Sequence, residues 1–210
     1  MILPISKNAL LLALVALICV AILGLVNQLA QPKIAEQQLK NKLATLNDVL
    51  PQNTASESLL ADCILVTNED LLGRPTPQAI YRLRDDGQIS AFVVETTAPD
   101  GYSGNIDLMV AVTPEGSILG SRVLNHQETP GLGDKIERRR SAWIESFQDK
   151  QVSPDNKSAW AVKKDGGQFD QFTGATITPR AVVNAVYNAG LLVLQQPELA
   201  SRPANCGAMQ

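Results

Sequence analysis

The 210-residue chain carries 18 Lys and Arg against 21 Asp and Glu, a net charge of −3, with 45% apolar residues and a single histidine. That length suits one principal domain with extensions and is enough to bury a real core. The acidic balance argues against a nucleic-acid surface, and three cysteines without CxxC spacing offer no metal-binding framework.

The apolar residues are unevenly spread. Ala9 to Val26 runs without one polar side chain, and a helix of this length covers roughly 27 Å, close to the ~30 Å hydrocarbon core of a bilayer. The run is longer than the core of a cleaved signal peptide and lacks a small-x-small cleavage site after it. A soluble core helix rarely stays apolar on every side. Residues 1–30 are therefore read as an uncleaved transmembrane anchor. Lys7 precedes the run while Lys33, Lys40 and Lys42 follow it, a count that keeps the large domain in the cytoplasm. Long domains translocate largely regardless of charge, so charge leaves the orientation open. Cys19 reads as a packing residue of the membrane helix, and pairing of Cys63 with Cys206 stays open.

Residues 31–75 read as stalk and connector. After Pro32, Leu39, Leu43, Leu46 and Val49/Leu50 recur on one helical face until Pro51 ends it, and residues 51–78 are polar and proline-rich around a short apolar stretch, Leu59 to Val66. From residue 76 to 197 the pattern predicts an α+β domain. Ile80 to Arg84, a turn at Asp85-Asp86-Gly87, and Gln88 to Thr97 form one hairpin. Ile106 to Thr113, Pro114-Glu115-Gly116, and Ser117 to Asn125 form another, giving four antiparallel strands. A helix is expected over Asp134 to Phe147, burying Ile136, Trp143, Ile144 and Phe147 and turning Arg138 to Arg140 to water. The final helix runs from Pro179 to about Leu194, with Val182, Val183, Val186, Gly190, Val193 and Leu194 in one stripe. Residues 198–210 read as a tail.

Two stretches could carry chemistry. In D-Q-F-T-G-A-T-I-T-P-R, Asp170 to Arg180, Thr173-Gly174 supplies a turn and Thr178 before Pro179 reads as a helix N-cap. A phosphate in place of the Thr178 hydroxyl could accept from the free N–H groups of Arg180 and Ala181. Upstream, His126-Gln127-Glu128-Thr129-Pro130-Gly131-Leu132-Gly133 links a strand to a helix. Pro130-Gly131 suits a type II turn, and its glycines would let a flat ring approach the backbone. Each stretch also reads as an ordinary loop with nothing bound. His126, Asp107 and Asp170 read as structural, and no Ser/His/Asp arrangement, nucleotide-binding glycine loop or paired-carboxylate pattern is visible.

Taken together, Gly101-Tyr102-Ser103-Gly104-Asn105-Ile106, then H-Q-E-T-P-G-L-G, then D-x-x-T-G-A-T-x-T at Asp170 to Thr178 resemble the covalent FMN-binding domain family. The order, spacing and single anchor are most similar to its branch of G subunits from Rnf-type ion-translocating electron transport complexes. The resemblance implies a flavoprotein subunit, without a classical catalytic acid, base or nucleophile, that relays electrons through one FMN. That FMN would be joined by a phosphoester to Thr178, attached by a flavin transferase that uses FAD. It also implies that the loop from Asp170 to Ile177, with Thr173, Gly174, Ala175 and Thr176, sets the cofactor's entry and that Glu128, Thr129, Gly131, Leu132 and Gly133 line its ring. The partners implied are the other membrane and redox subunits of the complex. The place implied is the periplasmic face of a bacterial inner membrane, against the lysine count. Readings from other classes are an anchored scaffold or binding module whose threonines only shape a turn, and a free-standing periplasmic flavin reductase.

Overall fold

The computed structural model describes residues 2–50 and 57–206. Helix α1, Ile2–Val49, is continuous through Pro32, which lacks an N–H for one intrahelical bond without ending the helix. Its Lys7–Ile34 stretch is long and apolar enough to cross a membrane, and none of it is buried within the protein. The chain divides after Lys42 into two compact units, and the second, from Leu43 onward, holds everything described below.

That unit is built on a five-stranded antiparallel sheet whose strands follow sequence order: β1 Cys63–Val66, β2 Gln78–Asp85, β3 Gln88–Ala98, β4 Ile106–Val112 and β5 Ile118–Asn125. The expected hairpins are present. Asp86 and Gly87 take positive φ at the β2–β3 turn, and Gly116 does so before β5. The strand not expected from the sequence is β1, which lies in the stretch read as connector, between short helices α2 (Glu57–Ala61) and α3 (Glu69–Leu72). Four residues between polar runs give period-two alternation too little length to register. Only pairing with β2, Cys63 opposite Tyr81 and Val66 opposite Gln78, makes them a strand.

Side chains alternate across the sheet, so each face has its own core. Leu108, Val110 and Val112 of β4 lie on the face covered by helix α4, Ile177–Gln195, together with Ile80 and Val94. Met109 and Ala111 lie on the opposite face with Tyr81 and Val93, against Leu46, Val49 and Leu50 at the end of α1. Gly120 makes that approach possible, since a Cβ there would stand 2.4 Å from the Val49 carbonyl oxygen. On α4, Val182, Val183, Val186, Gly190 and Val193 are buried as the stripe predicts, while Leu194 is half-buried.

The helix expected over Asp134–Phe147 is instead two short 3-10 segments, Gly133–Ile136 and Ala142–Phe147. Ser141, extended at φ −159°, accepts the Trp143 amide and starts the second segment afresh. The inward residues are as expected, because Ile136, Trp143, Ile144 and Phe147 occupy the same buried positions. The three arginines are exposed, but each is held by carboxylates: Arg138 by Asp48 and Glu145, Arg139 by Glu137, Arg140 by Asp134.

The segment after α4 is tied down as far as Cys206, not loose. Cys206 forms a disulfide with Cys63, Asn205 N–H donates to the Cys63 carbonyl (3.0 Å), and the Leu65 amide donates to Asn205 Oδ1 (2.7 Å). These bonds cover the open edge of β1. The β5 edge is covered by residues 149–152, where Ile118 N–H donates to the Lys150 carbonyl and Val152 N–H to that of Gly116. Residues 207–210 lie outside the described residues.

Candidate functional site

The two motif loops meet at the N-terminal end of α4. They form a cleft of about 280 Å³ lined by Tyr102, Glu128, Thr129, Leu132, Gly133 and Gly174 through Thr178. Loop 129–133 enters through a turn in which Leu132 N–H donates to the Thr129 carbonyl (3.1 Å) and Gly131 sits at φ +77°, as a type II turn with Pro130 second and Gly third requires. Asp134 braces it by accepting the Gly131 amide (2.8 Å) while pairing with Arg140.

The opposite wall, residues 172–177, turns at Thr173-Gly174, with Gly174 at φ +83° and Ala175 N–H donating to the Phe172 carbonyl (3.2 Å). An aromatic cluster fixes its approach. Trp143 donates its indole N–H to the Asp170 carbonyl (2.7 Å) and meets Phe172 edge-on at 5.0 Å.

Thr178 is not the helix cap. The helix begins at Ile177, after Thr176, whose side chain makes no capping bond. Thr178 is thus inside the first turn, and its N–H and that of Ile177 are among the amides no intrahelical carbonyl can reach. Arg180 N–H lies beyond the N-cap by the spacing of an ordinary i−4 bond. The reason is a buried partner. Thr178 is 0% exposed, and its hydroxyl donates to Glu128 Oε2 at 2.5 Å, which draws the side chain inward and away from its own backbone. The guanidinium of Arg180 is taken by Asp165, at 2.5 and 2.7 Å.

Glu128, 4% exposed, is held from three sides. Its Oε1 accepts the Ser103 amide (3.0 Å), its Oε2 accepts from Thr178, and its own N–H donates to His126 Nδ1 (3.0 Å). Glycines make room for it, since a Cβ at Gly101 would stand 2.9 Å from Glu128 Oε1. One at Gly133 would stand 2.9 Å from Glu128 Cβ and Oε2 and 3.0 Å from Thr178 Oγ. His126 is satisfied on both nitrogens, by the Glu128 amide and by Glu137 (2.9 Å), and Asp107 by Arg74 and Thr97. Asp170 pairs with Lys163.

Of the residues singled out in the sequence, Glu128, Thr129, Leu132, Gly133, Gly174, Ala175, Thr176 and Thr178 line the cleft, whereas Thr173 and Gly131 stand at turn corners outside its lining. Tyr102 was not among the expected lining residues, and Ile177 was expected only as the end of the entry loop. With Leu132 they put 67%, 44% and 41% exposed apolar surface at the mouth. Their signal was an apolar residue placed beside a motif glycine or threonine, which no periodicity marks.

Comparison with known proteins bears on the same residues. Residues 101–190 match the family model of the FMN-binding domain, and residues 1–49 that of the RnfG N-terminal region. The chain is 47% identical to the G subunit of the ion-translocating oxidoreductase complex of Shewanella loihica, over 96% of each chain. It is 49% identical to that of Shewanella amazonensis, over 96% of this chain and 94% of that one. With the Vibrio cholerae protein of the same name it shares 48% identity over 98% of this chain and 99% of that one. The crystal structure of Shewanella oneidensis NqrC is similar at a TM-score of 0.49 and 26% identity, covering 66% of this chain and 70% of that one. With nearly half its residues shared along almost the full length of such relatives, the chain belongs to the family of G subunits of ion-translocating oxidoreductase complexes and carries an FMN-binding domain over residues 101–190.

Proposed function

We propose that this protein is the membrane-anchored flavoprotein subunit of an ion-translocating electron transport complex, with one FMN esterified through its phosphate to Thr178. The observation that carries the assignment is a threonine hydroxyl at the floor of a cleft, in the first turn of a helix, inside the span that matches the FMN-binding domain. The residues suit the group. The Ile177 and Thr178 amides and the positive end of the α4 dipole favour phosphate oxygens. Tyr102, Leu132 and Ile177 offer apolar surface to a flat ring at the mouth, and Thr129 and Thr176 add hydroxyls along its walls. Bound there, FMN supplies the electron-transfer chemistry, and the protein's part is to hold, orient and shield it.

Because Thr178 is fully buried against Glu128, loading requires loop 129–133 and residues 173–177 to part. The agent of loading is a flavin transferase using FAD. The anchor holds the domain to a bacterial inner membrane, and the domain faces the periplasm. The Cys63–Cys206 disulfide supports that placement, since such bonds persist in oxidising compartments.

The decisive measurement is mass spectrometry of the tryptic peptide of residues 165–180 from protein made with the transferase. Fragment ions should carry the FMN mass on Thr178 and not on Thr173 or Thr176. Thr178→Ala should lose it with the fold intact. Covalent flavin retained in that variant would overturn the assignment.

A further inference from the structure

We infer that Glu128 is the general base for this protein's own flavinylation, an inference that rests on Thr178 being the acceptor. A threonine hydroxyl is a weak nucleophile and needs a base within hydrogen-bond reach. Glu128 Oε2 already accepts from the Thr178 hydroxyl, oxygen to oxygen 2.5 Å, in a place where water does not compete: the two residues are 4% and 0% exposed. The carboxylate's other hydrogen-bond partner is the neutral Ser103 amide, so no cation in that set ties up its lone pairs.

A buried carboxylate among neutral partners is a costly way to hold a hydroxyl, which an amide or a backbone carbonyl would hold as well. The surroundings fix its aim. The Ser103 amide secures Oε1, His126 secures the backbone, and the bare Cα atoms of Gly101 and Gly133 leave the carboxylate its volume.

In the step, Thr178 Oγ attacks the flavin-side phosphorus of FAD as its proton passes to Glu128 Oε2. The new bond is Oγ–P, the bond broken is the pyrophosphate P–O, and AMP departs with that electron pair on its phosphate. Nothing is oxidised or reduced. The proton left on Glu128 turns an acceptor into a donor facing the new phosphodiester. An ionised carboxylate beside that anion would instead repel it.

The test uses the full-length protein in detergent with purified transferase and FAD, following the initial rate of covalent flavin fluorescence in denaturing gels. Glu128→Gln keeps the shape and the hydrogen-bond acceptor, and should slow attachment by about 100-fold or more. Glu128→Ala leaves a carboxylate-sized space, and added formate should restore its rate while leaving Thr178→Ala inert. A Glu128→Gln rate within about threefold of wild type, or no response of Glu128→Ala to formate, would overturn the base role and place it on the transferase. Wild-type protein that never gains flavin would instead overturn the assignment of Thr178.

Discussion

His126 joins the cleft to the arginine-rich segment: its Nε2–H donates to Glu137 Oε1 at 2.9 Å while its Nδ1 accepts the Glu128 amide. The Arg139 guanidinium and, against the effect of burial, this imidazole hold the Glu137 carboxyl down to about 2 from an ordinary 4.5. A carboxyl depressed in the folded state stabilises the fold above its unfolded value and loses that contribution as pH falls toward the folded one. Solvent screens the largely exposed Arg139, so stability should decline by only about 1–2 kcal/mol between pH 4.5 and 2 on this account. Melting curves across that range should show a shallower acid slope in Glu137→Gln.

Reducing the Cys63–Cys206 bond, or replacing both cysteines by Ser, should cost about 2–5 kcal/mol, because the bond closes a loop spanning 143 positions. Denaturant midpoints with and without reductant measure this. Hydrogen exchange at the Leu65 amide should accelerate as Asn205 leaves the β1 edge.

Arg82 is buried in β2, where its guanidinium donates to Asp62 and to the carbonyls of Leu199 (3.1 Å), Ala200 (3.3 Å) and Arg202 (2.5 Å). Arg82→Met would strand these acceptors, at a cost of about 3–5 kcal/mol. Arg82→Lys should rescue little, since one ammonium cannot span the fork. Limited proteolysis should find residues 196–206 cut first in both variants.

Gly133→Ala and Gly131→Ala separate crowding from backbone strain. At Gly133 the new methyl meets Glu128 and Thr178 at 2.9–3.0 Å, so about 1–3 kcal/mol of stability and at least tenfold in the rate of flavin attachment should be lost. At Gly131 nothing lies within 4 Å, but φ is +77°, so Ala should cost about 1 kcal/mol and leave attachment within threefold. Thermal melts and gel fluorescence of the two variants decide it.

The hairpins were legible because Asp86-Gly87 and Pro114-Glu115-Gly116 are turn signals between alternating strands, and the α4 stripe because helical periodicity survives over nineteen residues. The stretch over Asp134–Phe147 misled because a 3-10 pair can bury residues at helical spacing, and no local signal announces the break at Ser141. For Thr178, Thr before Pro is a sound capping pattern. It lost to a hydrogen bond that the hydroxyl donates to a carboxylate 50 residues upstream, which only the packed fold brings near. The motif loops could be named from sequence. Their convergence on one buried hydroxyl, and the Ser103 and His126 contacts that aim Glu128, depend on the β4–β5 hairpin returning the chain to the start of α4.

The ring closed by Cys63 and Cys206 encloses β2 to β5, the cleft and α4. Synthesis runs from the amino terminus, so the closing thiol is delivered after everything it encloses. The bond can therefore form only once β2 to β5, the cleft and α4 have all been made, and until Cys206 arrives Cys63 has no partner for it.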